Sequence, residues 1–155
     1  MRISEDTSTR GFGRLVSSVL AAGVTGLVAW EVFARLVAPL LIGEPLDATA
    51  LVEMALGIAG WKAILIHIAT GLVLYPLGYL LIESILARHV PLNWVVLGIA
   101  YGFCLWVFAM YVIASIAAGM PPFLGFQPVA WASLAGHILM TLGIAGAIRL
   151  SAKFN

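Results

Sequence analysis

Four long apolar stretches, at about 15–42, 61–85, 94–118 and 129–150, alternate with short polar breaks along the chain. Crossing a hydrocarbon core of about 30 Å takes roughly 20 helical residues, so each stretch predicts a transmembrane helix. Prolines and glycines set the limits: Pro39 and Gly43-Glu44-Pro45 close the first stretch, Gly119-Met120-Pro121-Pro122 the third. Pro76 falls inside the second and predicts a kink, which a bundle tolerates. Residues 46–60 are too few to span. With Asp47 as N-cap and Leu51, Val52, Ala55 and Leu56 on one face, they predict a short helix lying at the interface. The expected fold is all-α: an integral membrane bundle of four transmembrane helices with a short interfacial helix between the first and second. A polar N-terminus (1–14), its first ten residues irregular or interfacial, and a polar tail (151–155) flank the 15–150 membrane domain.

Composition agrees with this pattern. Of 155 residues, 63% are hydrophobic and 10% charged, and mean hydropathy is +1.09, too few charges for a soluble shell. The lipid bilayer is therefore the first expected partner. The apolar run after Arg10-Gly-Phe-Gly-Arg14 continues far past a signal core of about 7–15 residues, without a small-x-small cleavage site, so a retained helix is expected. Net charge is +1 with no basic run, which excludes nucleic-acid binding. Cys104 is the single cysteine, ruling out an intramolecular disulfide or a CxxC motif. Arg2, Arg10, Arg14, Arg88, Arg149 and Lys153 lie on the side of the termini and middle loop, whereas Lys62 alone flanks the other side and Arg35 lies within the first helix. The positive-inside rule then puts both termini in the cytoplasm. Glu44, Asp47 and Glu53 make the opposite face acidic; in a bacterial inner membrane it is the periplasmic one.

A Trp-x5-His pattern occurs twice, at Trp61/His67 and Trp131/His137, and Trp30 and Trp106 sit in the first and third stretches. These matches hint at two related helical hairpins. At 1.5 Å per residue each histidine lies about 9 Å below its tryptophan. Eight residues before Pro39 is Glu31 and eight before Gly119 is Tyr111, a depth of about 12 Å. Glu31, His67, Tyr111 and His137 thus share a level, although spacing fixes depth and not facing.

Ionisable groups in lipid need partners, which makes this layer the candidate site. His67, His137 and Glu31 are the candidate ligands, with Tyr111, Arg35, Lys62, Gly71 and Gly136 in support. Several chemistries remain open. The histidines can be satisfied by interhelical hydrogen bonds, worth about 0.6 kcal/mol each. Glu31 and Arg35 can neutralise each other at i, i+4 while Arg35 snorkels outward. Two imidazoles can also hold a haem b, with Gly71 and Gly136 clearing room for the macrocycle and Arg35 or Lys62 meeting its propionates. A single transition metal on two histidines and a carboxylate is a third option. A proton relay suits histidine, but the cytoplasmic half offers no continuous ionisable path. His89 reads as a solvated loop residue, and Cys104, Met110, Met120 and Met140 as packing. No nucleophile with its base, phosphate-cradling loop or dinucleotide fingerprint occurs, which points away from an enzyme.

Trp30-Glu31, His67, Gly78-Tyr79 with Glu83, Trp94, Gly119-Met120-Pro121-Pro122 and Gly136-His137 follow one another in an order that resembles the YagU-like family of small bacterial inner-membrane proteins. The resemblance covers most of Gly23–Arg149, and the chain departs from it in a compact Glu44–Gly60 segment. It implies a multi-helix inner-membrane protein without established catalytic activity. The expected function is a non-catalytic accessory or sensor component with a periplasmic-side polar site, in a membrane-protein complex or homo-oligomer. The alternatives are a proton or small-solute transporter and a purely structural bundle.

Overall fold

A computed structural model describes residues 3–88 and 93–153; His89 and its expected loop role lie outside the described residues. Helix α1 runs Ile3–Val32, passes through a π-helical turn (Phe33–Val37) and ends with Ala38–Ile42. It therefore begins within the polar residues expected to be irregular or interfacial. The short α2 is Ala48–Leu56. Helix α3 comprises Trp61–Ala69, a π-helical turn (Thr70–Leu74) and Tyr75–Leu86. Helix α4 is Trp94–Val107 continued by a π-helical stretch, Phe108–Ala117; a 3-10 turn (Pro122–Phe126) leads to α5, Pro128–Lys153. Among the described residues there is no strand.

Four of these helices carry membrane-length apolar spans: Gly11–Ile42, Trp61–Leu86, Trp94–Ala117 and Pro128–Lys153. Their outer faces are greasy. Leu40 is 85% exposed, Ile116 67% and Leu36 65%, an arrangement that water would penalise and a bilayer accepts. The chain is a multi-pass membrane helical bundle.

The prolines explain two of the π turns. Each proline ring presses on the carbonyl four residues earlier, Arg35 for Pro39 and Leu72 for Pro76, and that carbonyl lies within a π turn in both cases. The kink expected at Pro76 takes this form. Helix α1 then stops at Gly43, whose φ of 82° places it in the left-handed region that glycine adopts without strain. Asp47 caps α2 as expected, its carboxylate accepting from the Ala50 N–H at 3.0 Å. The Glu53 carboxylate accepts from the Gly60 N–H at 2.8 Å, which ties α2 to the start of α3.

Packing orders the spanning helices as α3–α1–α5–α4. Helix α5 is central, with half of its apolar window buried against 17% for α3. Small residues bring backbones together: a Cβ on Gly23 would overlap the Leu72 backbone, and one on Gly102 would meet Thr141 and the Ile138 backbone. Thr141 Oγ1 donates to the Gly98 carbonyl at 2.7 Å, bonding α5 to α4. Helices α3 and α4, at the two ends of this order, meet only locally. Toward the termini the Tyr101 hydroxyl donates to the Tyr75 carbonyl at 3.0 Å. At the other end α2 bridges the start of α3 and the π-helical part of α4. The gap between these two closures holds the site.

Tyr79, fully buried beside this closure, packs edge-on to Tyr101 at 5.8 Å, and among the described residues its hydroxyl has no hydrogen-bond partner. A buried unsatisfied hydroxyl costs about 1–3 kcal/mol, so Tyr79→Phe is expected to stabilise the protein by about 1 kcal/mol. Thermal unfolding in detergent checks this; a lower midpoint for the Phe variant would mean that the hydroxyl has a partner after all.

Candidate functional site

The gap is a cavity of about 450 Å³ with largely apolar walls. Helix α1 contributes Leu27 and Trp30, α3 contributes Ile66, His67, Thr70, Gly71 and Tyr75, and the π-helical part of α4 contributes Phe108 to Met110, Ile113 and Ala114. Helix α5 presents Val129, Ser133, His137 and Met140. Helix α2 and the segment leading into it supply one wall through Leu51, Val52 and Ala55, joined by Glu44 and Asp47. His67 and His137 therefore line one cavity from separate helices.

Their surroundings differ. His137 is 6% exposed, and its Nδ1 lies 2.8 Å from the Ser133 carbonyl, four residues earlier on α5. That distance fits an Nδ1–H donating to the carbonyl, with the Ser133 hydroxyl a looser neighbour at 3.4 Å. This tautomer leaves Nε2 with its lone pair available, and among the described residues no hydrogen bond reaches it. The Trp30 ring packs edge-to-face on the imidazole at 5.0 Å and 70°, holding its orientation. His67 is less enclosed, its side chain 18% exposed, with Nε2 3.5 Å from Glu31 Oε1. The other carboxylate oxygen of Glu31 accepts from Arg35 Nε at 2.5 Å. Glu31 thus stands between an imidazole and a guanidinium, 40% exposed and outside the cavity lining.

The remaining candidates separate from the pair. Tyr111, expected in the polar layer, is 45% exposed and stacks on Phe123 at 5.7 Å, because the π-helical geometry around it turns that side chain outward. Arg35, 72% exposed, pairs with Glu31 in the favourable i, i+4 order. Lys62 is exposed at the start of α3 and does not line the cavity. The glycines leave no slot for a macrocycle: the space beside Gly136 holds the Trp30 and Phe33 rings, and that beside Gly71 holds the Leu27 side chain. Both serve close helix packing, the alternative role for small residues. A metal centre built on His67, His137 and Glu31 is also not assembled. Among the described residues no three His, Cys, Asp or Glu side chains group as a metal site, since Glu31 is drawn to Arg35.

Several lining residues had no advance signal in hydropathy. Ser133 had a local one, since it lies four residues before His137 on the same helical face. The methionines had none. Met110, Met120 and Met140, expected as packing, line this cavity together with Met54.

Compared with known proteins, the chain matches no family model, no curated protein and no solved structure.

Proposed function

We propose that this chain is a small inner-membrane protein of bacteria that holds a small ligand between α3 and α4. It acts as a non-catalytic accessory or sensor component of an envelope or respiratory assembly, as a hetero-complex or homo-oligomer. The observation that carries the reading is that two imidazoles from separate helices line one largely apolar cavity, and that among the described residues no hydrogen bond reaches His137 Nε2. An apolar chamber with a few convergent polar groups is the usual form of a ligand site. The bias of arginine and lysine toward the terminal side supports cytoplasmic termini and a cavity near the periplasmic face. The order of Trp30-Glu31, His67, Gly78-Tyr79 and Gly136-His137 supports membership of the YagU-like group. Binding is favoured over conduction because the Tyr101–Tyr75 hydrogen bond joins α3 and α4 just beyond the cavity, on the way to the other face.

The test is native mass spectrometry of protein released from its own membranes in lipid nanodiscs. Wild-type protein is expected to carry a bound small molecule beyond exchangeable lipid. Ala55→Trp, which places an indole in the α2 wall of the cavity, is expected to reduce its retention at least roughly tenfold, about 1.4 kcal/mol. Wild-type protein with only exchangeable lipid, indistinguishable from Ala55→Trp, would remove the ligand reading.

A further inference from the structure

The backbone of α5 fixes His137 as an acceptor. A carbonyl can only accept, so with Nδ1 2.8 Å from the Ser133 carbonyl the ring proton sits on Nδ1 and Nε2 keeps its lone pair. Among the described residues, the Tyr79 hydroxyl is the one polar side-chain atom both walled in by protein and without a hydrogen bond. His137 Nε2 also lacks a hydrogen bond, so it is not walled in. The open space beside His137 is the cavity that the residue lines, and Nε2 therefore faces a guest. Trp30, edge-to-face on the ring at 5.0 Å, keeps it so.

The lining then selects the guest. Among the described residues no lysine or arginine lines the cavity, so a phosphate or carboxylate head would be buried without a counter-charge. Glu44 and Asp47 do line it, but both are exposed on the segment before α2, and the Asp47 carboxylate already accepts from the Ala50 N–H. His67 directs Nε2 toward Glu31, 3.5 Å away. The buried end at His137 thus offers a neutral acceptor in apolar surroundings. Thr70 and Tyr75 also line the cavity, and their hydroxyls can donate or accept, so they do not discriminate. His137 does. A guest with acceptors alone, such as an ether or a quinone, would bury Nε2 unpaired, whereas a hydroxyl satisfies it. Among neutral lipid-soluble donors a phenol has a strong O–H and a flat body that suits the Trp30, Tyr75 and Phe108 rings of the lining.

Resting on the reading of the cavity as a ligand site, we propose that its occupant is a neutral, lipid-soluble phenol whose hydroxyl donates to His137 Nε2. A hydroquinone is such a molecule; its oxidised quinone has no donor and is discriminated against.

In the test, the full chain in lipid nanodiscs is dialysed at neutral pH against naphthol, methoxynaphthalene and naphthylmethylammonium, with empty nanodiscs giving the partition background. After that subtraction naphthol is expected to bind at least roughly tenfold tighter than methoxynaphthalene, which has the same rings and no donor. The ammonium is expected to bind more weakly than naphthol. His137→Phe is expected to bring naphthol and methoxynaphthalene to equal affinity. Should that variant fail to fold, the wild-type ring decides: naphthol is expected to shift the His137 Nε2 resonance and methoxynaphthalene to leave it unmoved. Equal binding of these two probes to wild type, tightest binding of the ammonium, or a naphthol preference that survives in folded His137→Phe would each overturn the proposal. The native mass spectra keep the two readings apart. A retained small molecule with no preference for naphthol sinks the phenol and leaves the ligand site standing, whereas no retained molecule and no probe binding sinks both.

Discussion

Gly23→Ala is expected to destabilise the bundle by about 3 kcal/mol, the upper end for overpacking, because the added methyl would overlap backbone atoms of Leu72. A side chain in that position can rotate away; a helix backbone cannot. Leu72 lies in the π turn that Pro76 imposes, and this turn is the principal contact of α3 with α1. Separating the two helices also moves His67 relative to His137, so ligand retention falls with stability. Gly146→Ala is the control. Its new Cβ would find only a Trp94 ring carbon at 3.8 Å, an ordinary contact, and replacing a helical glycine stabilises by up to about 1 kcal/mol. Reversible unfolding in detergent or bicelles measures both. Similar effects from the two substitutions would show that α1 and α3 are not in backbone contact at Gly23.

His137→Ala and His137→Phe are expected to separate packing from chemistry. The alanine variant leaves a void beside Trp30 and costs about 3 kcal/mol, the low end for truncating a large buried ring. The phenylalanine variant keeps a ring of similar size against Trp30, so its stability should stay within about 1.5 kcal/mol of wild type. Losing Nδ1 strands no acceptor, because the Ser133 carbonyl still receives the helical N–H of residue 137. Retention of the bound molecule should nevertheless drop at least roughly tenfold in His137→Phe, since Nε2 is gone; that is about 1.4 kcal/mol. If His137→Phe retains the molecule as wild type does, the imidazole is a packing element and the polar contact lies elsewhere.

Which stretches form the long helices was legible in the sequence; the way their side chains face was not. Hydropathy and the Pro/Gly punctuation located all four spans within a few residues, and Asp47 announced α2 through its capping chemistry. Counting residues from the helix ends put His67 and His137 at one level, and both line one cavity. The same count put Glu31 and Tyr111 at that level, yet neither lines it. Facing depends on helix rotation, and three of the four spanning helices change their pitch through π-helical segments. A π turn adds residues per turn and rotates everything beyond it, which a 3.6-residue period cannot anticipate. Tyr111 lies inside the longest of these segments. Phe123, which it stacks on, has a left-handed φ of 51° that no glycine or asparagine marks beforehand. The methionines were hidden for another reason. They lie on α2, α4, the loop after it and α5, and only the α3–α1–α5–α4 order, with α2 across the gap, brings them to a common wall.

Everything proposed for function depends on a chamber that is open to a guest and bordered by His137 Nε2. An experimental density map of the protein in a lipid bilayer, at a resolution that shows imidazole orientation, tests this most directly. The expected map has non-protein density between α3 and α4 within bonding distance of Nε2, under α2. A map in which side chains fill that space, or in which the His137 ring turns out toward lipid, would contradict the account.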